Sequence, residues 1–242
     1  MQYAFSSSEL ASIEIGGKIG QIEKGAFENC KSLVSVRFCT AATNLTMAQD
    51  VFLGCSNLKA VKLELAKAPT IDSTTFSGVN DTFSVYVTTD MIRIYQASSN
   101  WRNLSERIFS LGTIFGDFAV VEYGDGYAIR QYFGTDKKVI IPEILNAHKI
   151  TCIFENAFGM SSVEEIVVPA CVTEIGAGAF RGCESLYKLV VECAPTVLGS
   201  GAFEGVDEEF AIYVKGDFDM LDAYRAAAGW SQYAERIWSY TE

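Results

Sequence analysis

"AFRGCESL", residues 179–186, recurs almost letter for letter as "AFENCKSL" at 26–33, and "VFLGCSNL" at 51–58 follows the same pattern. Anchored on its phenylalanine, the pattern marks Phe27, Phe52 and Phe76 at steps of 25 and 24 residues, then Phe158, Phe180 and Phe203 at steps of 22 and 23. Periods of this length belong to stacked repeat units. The register reaches back to the first residues, where "AFSSSEL" (4–10) matches "AFGMSSV" (157–163). Leu10 stands 17 residues before Phe27, as Val163 does before Phe180, so the chain reads as beginning in mid-repeat.

One full unit, "VEEIVVPACVTEIGAGAFRGCESL" (163–186), assigns a physical task to each position. In a strand, successive side chains alternate, so Ile166 and Val168 point to one side while Glu165 and Val167 point to the other. Val172 and Ile175 form a second apolar step, and Gly176 and Gly178 permit tight turning. Phe180, Cys183 and Leu186 follow at intervals of three behind Ala179, the spacing of a single helical turn. Each repeat therefore reads as a strand, a turn and a helical turn. A lone unit cannot bury its apolar edge, whereas in a stack each inward Leu, Ile or Phe is worth about 1.5–3 kcal/mol.

A longer duplication lies over the short one. "FSGVNDTFSVYV" (76–87) pairs with "FEGVDEEFAIYV" (203–214), and each leads into an apparent helical hairpin, 90–109 and 217–238. Tyr95 to Trp101 and Tyr224 to Trp230 both span 6 residues, and Trp101 to Ile108 and Trp230 to Ile237 both span 7. Asp90 and Asp217 occupy N-cap places, and Gly229 is expected to end the first helix of the second copy. An exposed stack end needs a terminator with a polar face, so these hairpins read as caps. The expected organisation is a stack over 1–111 with a helical cap, a linker at 112–117, and a second stack over 118–242. The second opens with a hairpin around Gly124-Asp125-Gly126 and closes with its own cap.

These features, carried by "IEKGAFENCKSLVSV" (22–36), "VTEIGAGAFRGCESLYKLVV" (172–191) and the "GTDKKVIIPEI…ITCIFENAF" segments (134–144 and 150–158), resemble the BspA-type leucine-rich repeats of surface proteins in gut and oral bacteria and some protozoa. The shared core is I-G-x-x-A-F-x-x-C-x-x-L, with Glu23 and Phe154 standing in the glycine slot. The resemblance implies a leucine-rich-repeat solenoid of short parallel β-strands with helical turns. It also implies a cell-surface or secreted setting and a non-catalytic adhesion role.

Bulk properties narrow the alternatives. A chain of 242 residues, 49% apolar, is long enough for a substantial core. A net charge of −11 without a basic run argues against a nucleic-acid partner, whose phosphates draw on clustered Lys and Arg. No apolar run approaches the roughly 20 residues of a spanning helix, and "MQYAFSSSELAS" has neither the basic nor the apolar region of a signal peptide.

Chemical sites are sparse. Cys30, Cys55 and Cys183 share one repeat position and read as small buried residues; Cys39, Cys152, Cys171 and Cys193 remain disulfide candidates. His148, the single histidine, lies in the insertion "LNAHK", and no Ser-His-Asp or Cys-His site can form without it. The paired acids Glu164-Glu165 and Asp207-Glu208-Glu209 read as solvated turn or strand-edge residues. Neither phosphate-loop nor dinucleotide glycine motifs occur, so no catalytic residue, cofactor or metal is expected. Trp101 and Trp230 at identical cap positions read as packing residues before sugar-stacking ones.

What remains is surface. Outward strand positions Glu14, Arg37, Lys62 and Tyr86 in the first stack, and Glu165, Val167, Lys188, Val190 and Tyr213 in the second, are expected to lie side by side as a concave binding face. Its partners would be protein or glycan ligands, host extracellular matrix among them. Residues 1–117 hold 10 Lys and Arg against 11 Asp and Glu, while 118–242 hold 9 against 19. The acidic half points either to solubility or to a basic protein patch or loosely held divalent cations. Three function classes follow: a surface binding module, preferred; a structural spacer presenting other domains; and a hydrolase built on a carboxylate pair.

Overall fold

The computed structural model describes residues 1–40, 44–192 and 194–240. The chain divides into two compact units, Met1–Ile114 and Phe115–Glu242. In the first, the strands Ser12–Gly17, Ser35–Thr40, Ala60–Leu63, Ser84–Val87 and Ile108–Ser110 lie side by side in chain order, all parallel. In the second, Lys138–Ile140, Glu165–Val168, Lys188–Val191, Ala211–Lys215 and Ile237–Tyr240 form an equivalent parallel sheet. The pairing follows from the repeat length, which returns the chain to the same place one strand further on, and strand alternation sorts the side chains. Val36, Phe38, Val61, Leu63, Val85 and Val87 point inward and are buried, as are Ile166, Val168, Leu189, Val191, Ile212 and Val214.

The second apolar step of each repeat builds a further ladder. In the first unit Gln21–Ile22, Thr46–Met47 and Thr70–Ile71 pair in parallel. In the second unit Gly126–Tyr132, His148–Ile153, Glu174–Ile175 and Val197–Leu198 do so, and Phe118–Tyr123 closes antiparallel on Gly126–Tyr132 through a turn at Gly124 and Asp125. The core between the ladders is apolar in both units.

The helical turn expected after each glycine is not helical, and the backbone shows why. Residues with positive φ recur four apart in the repeats, at Gly25 and Asn29, Asp50 and Gly54, Asn156 and Met160, Gly178 and Gly182, and Gly201 and Gly205. A left-handed residue every fourth place breaks a helix into successive turns. Alternate amides then bond in different directions. Ala26, Glu28 and Cys30 donate to the carbonyls three residues earlier, whereas Gly25, Phe27 and Asn29 donate across to Gln49, Val51 and Leu53 of the next layer. The segment thus acts as a third side of the ladder.

Stacking is most regular along the phenylalanines. Phe5, Phe27, Phe52 and Phe76 stack nearly parallel at centroid distances of 5.3, 5.5 and 5.4 Å; in the second unit Phe180 and Phe203 do so at 5.4 Å, while Phe158 lies 5.4 Å from Phe180 with its ring tilted by 35°. Trp101 and Trp230 adjoin the last rings, at 6.1 Å from Phe76 and 6.0 Å from Phe203. Both indoles are fully buried, and their N–H groups donate to the carbonyls of Pro69 and Thr196 at 2.8 Å. They are therefore packing residues.

The segments read as helical hairpins contain less helix than expected. Each comprises a short α-helix, Ile92–Ala97 or Phe218–Ala226, then a single 3-10 stretch, Arg102–Arg107 or Ser231–Arg236. Each then delivers a final strand to the edge of the parallel sheet, Ile108–Ser110 or Ile237–Tyr240. Asp217 caps its helix, accepting from the Met220 amide at 3.2 Å. Asp90 does not cap: it lies inside the 3-10 stretch Thr89–Met91, which precedes the α-helix and occupies the place of a free N-terminus. The second α-helix stops at Ala226, and Gly229, with φ of +81°, turns the chain three residues later.

Candidate functional site

Outward strand positions fall into register across each parallel sheet. In the first unit Glu14 lies beside Arg37, Arg37 beside Lys62, Lys62 beside Tyr86, and Tyr86 beside Phe109. Arg37 organises this row. Its guanidinium grips Glu64 through two bonds, 2.7 Å from Nε to Oε1 and 3.0 Å from Nη2 to Oε2, and reaches Glu14 Oε2 through Nη1 at 2.9 Å. The Cys39 thiol completes the cluster by donating to Glu14 Oε1 at 3.2 Å. That bond and the adjacent guanidinium hold the Glu14 carboxyl below its ordinary range, while the carboxylate pushes the Cys39 thiol up. A guanidinium clamped between two carboxylates is a rigid donor-acceptor plate.

Tyr86 departs from the expected face. It shares the row but has 0% exposure, its ring packed 6.1 Å from that of Phe109. The final strand Ile108–Ser110 pairs beside it and lays Phe109 against its ring, so Tyr86 offers a ligand no surface. Phe109 and Glu64 extend the first face instead.

The second sheet carries two outward rows. The charged one runs Lys138, Glu165, Lys188 and Ala211. Glu165 sits at its centre, 3.3 Å from Lys138 and 3.7 Å from Lys188, and accepts from the Tyr187 hydroxyl at 2.8 Å. The Tyr187 bond, followed by the lysines, lowers the Glu165 carboxyl below its usual range. The other row is apolar: Ile140, Val167, Val190, Tyr213 and Trp238, with Ile140 65% and Trp238 53% exposed. The ammonium of Lys188 lies 5.5 Å over the Tyr213 ring and joins the two rows. Sequence reasoning placed Val167, Val190 and Tyr213 but missed both ends. Trp238 and Phe109 directly follow the duplicated isoleucines Ile237 and Ile108, and were hidden by reading those segments as helical caps.

Beside the first row, at the carboxyl ends of the strands, lies a groove of about 890 Å³. Arg37, Lys62, Glu64 and Asp90 supply its charged lining, and Leu65, Met91, Leu111 and Ile114 its apolar lining.

The remaining chemical candidates are dispersed. Cys30, Cys55 and Cys183 are buried thiols, each donating to the carbonyl of a phenylalanine one layer earlier, at 2.9, 2.9 and 3.1 Å. Cys39, Cys152 and Cys171 form no disulfide among the described residues, and Cys193 lies outside them. His148 begins the strand His148–Ile153 behind a turn at Asn146 and Ala147, its ring 4.5 Å from Tyr127. Glu164 pairs with Lys137 at 3.0 Å, apart from the Glu165 cluster, and Asp207 accepts from the Glu209 amide in a local turn. A lowered carboxyl at Glu165 is the reverse of what a general acid needs.

A profile of the family described as BspA type Leucine rich repeat region matches residues 1–114 and 137–215, in six copies. Among solved structures, the chain is similar to a leucine rich cell surface protein from Faecalibacterium prausnitzii A2-165. The two are 15% identical over 94% of this chain and 85% of that one, with a TM-score of 0.29, too weak a likeness to carry a structural argument. No protein of curated function matches the chain.

Proposed function

From the premise that this chain belongs to the BspA-type leucine-rich repeat family, we propose that it is a non-catalytic binding module of the cell surface whose outward sheet rows engage protein or glycan ligands. The observation that carries this reading is the register of those rows. Glu14, Arg37 and Lys62 on one sheet, and Glu165, Lys188, Val167, Val190 and Tyr213 on the other, are brought side by side by strands that are far apart in sequence. Such a surface is broad and stiff, which suits recognition of an extended partner. Each unit is on this reading a short solenoid, and the helical segments at 92–107 and 218–236 act as its caps. Adhesion to host extracellular matrix is the expected outcome for a surface protein of this type. Among the described residues, no helix is long and apolar enough to cross a membrane.

The test is retention of the intact chain on surfaces coated with extracellular-matrix proteins or immobilised glycans. Saturable retention on at least one coat is expected. If every coat fails to retain it, the chain is better read as a spacer presenting other domains; turnover of a coat would reveal a hydrolase instead.

A further inference from the structure

Resting on the reading of the outward faces as binding surfaces, we propose that the groove at the strand ends of the first unit binds a neutral oligosaccharide. Its lining balances two cations, Arg37 and Lys62, against two anions, Glu64 and Asp90. An anionic ligand entering it meets the carboxylates of Glu64 and Asp90, and a cationic one meets Arg37 and Lys62. A ligand made of hydroxyl groups meets no such conflict, because each hydroxyl donates one hydrogen bond and accepts others. It can satisfy both signs of charge without carrying either.

The polar groups are also fixed in advance. Arg37 donates two bonds to Glu64 and a third to Glu14, so donors and acceptors stand in one set geometry before any ligand arrives. Holding them beforehand removes an ordering cost from binding. Leu111 and Ile114, both half-buried, line the same groove and offer apolar contact to the C–H faces of sugar rings. The volume of about 890 Å³ falls within the roughly 300–1,000 Å³ typical of small-ligand sites. Because Tyr86 is buried and the described lining of the groove includes no aromatic ring, affinity comes chiefly from hydrogen bonds and is modest. Multivalent display is therefore the right format for detection.

The experiment presents the intact chain to an array of immobilised neutral gluco-, galacto-, manno- and N-acetylglucosamine oligosaccharides, with sialylated and sulfated counterparts, at low and high salt. The expected result is retention on at least one neutral oligosaccharide, little changed by salt and weakened by acidic substituents. Ala66→Trp, at an exposed position on the groove wall, should cut that retention by about tenfold or more, equivalent to at least about 1.4 kcal/mol. Asp90→Asn leaves the groove net positive and should shift preference toward acidic glycans. Unchanged neutral-glycan binding by Ala66→Trp, retention on acidic glycans alone, or retention on protein coats with none on neutral glycans would each overturn the assignment. In the last case the binding reading of the outward faces still stands; if nothing at all is retained, both readings fail.

Discussion

Cys55 shows what each repeat asks of a single residue. Its position is fully buried and faces a backbone carbonyl of the preceding layer, so a small side chain with a weak donor fits, and the thiol donates to the Phe27 carbonyl at 2.9 Å. Burial pushes this thiol up to about 12, and does the same to the Cys152 thiol and the Tyr132 phenol. In the unfolded chain the thiols ionise near their ordinary value of 9.0. Because the folded values lie above the unfolded ones, the stability they contribute is intact below about pH 9 and declines as pH rises toward about 12. Thermal melts should therefore fall steadily between about pH 9 and about pH 12, and Cys55→Ala should remove part of that slope. A flat profile would contradict the burial of these groups. Glycine at 176 is held by a different constraint: a Cβ there would meet the Glu155 amide nitrogen at 2.6 Å and the Phe154 carbonyl carbon at 2.9 Å. Gly176→Ala should cost about 1–3 kcal/mol in chemical denaturation, while Gly20→Ala, with nothing within 4 Å of its Cβ, should be tolerated. Inward residues such as Ile166 and Phe180 were legible in the sequence because periodicity alone sets their direction. The burial of Tyr86 was not, since it depends on what covers one end of a row.

At the scale of elements, the strands were legible and the turns between them were not. Spacing of three along Phe180, Cys183 and Leu186 is common to a helical turn and to successive tight turns. The deciding signal is the pair of positive-φ positions four apart, filled by Gly178 and Gly182 in one repeat but by Asn156 and Met160 in another. Only some of these residues advertise a left-handed backbone, which is why the pattern escapes a reading by residue type. The two helical segments differ in the same local way despite their duplication. Asp217→Ala removes an N-cap bond and should destabilise the chain by about 1 kcal/mol, whereas Asp90→Ala, which removes no cap bond, should leave the melting temperature unchanged. No loss on Asp217→Ala would mean that the second helix is held by packing rather than by its cap.

Across the whole molecule, the duplicated architecture carries two different outward faces. The first is a charged row organised by Arg37, and the second combines a charged row around Glu165 with an apolar row from Ile140 to Trp238. Most of this was legible because strand alternation and repeat length together dictate which residues become neighbours. Two ends of the rows were not, because Phe109 and Trp238 lie in segments that read as helical caps. The central claim is that these faces bind. Its most direct test compares intact variants on whichever matrix or glycan coat retains the wild type: Arg37→Glu in the first face, Val190→Arg with Trp238→Ala in the second, and Glu204→Arg in a turn away from both rows. We predict that retention falls by about tenfold or more for at least one face variant and changes by less than about twofold for Glu204→Arg, with all variants equally folded by circular dichroism. Retention lost only with Glu204→Arg, or unchanged in both face variants, would contradict the account.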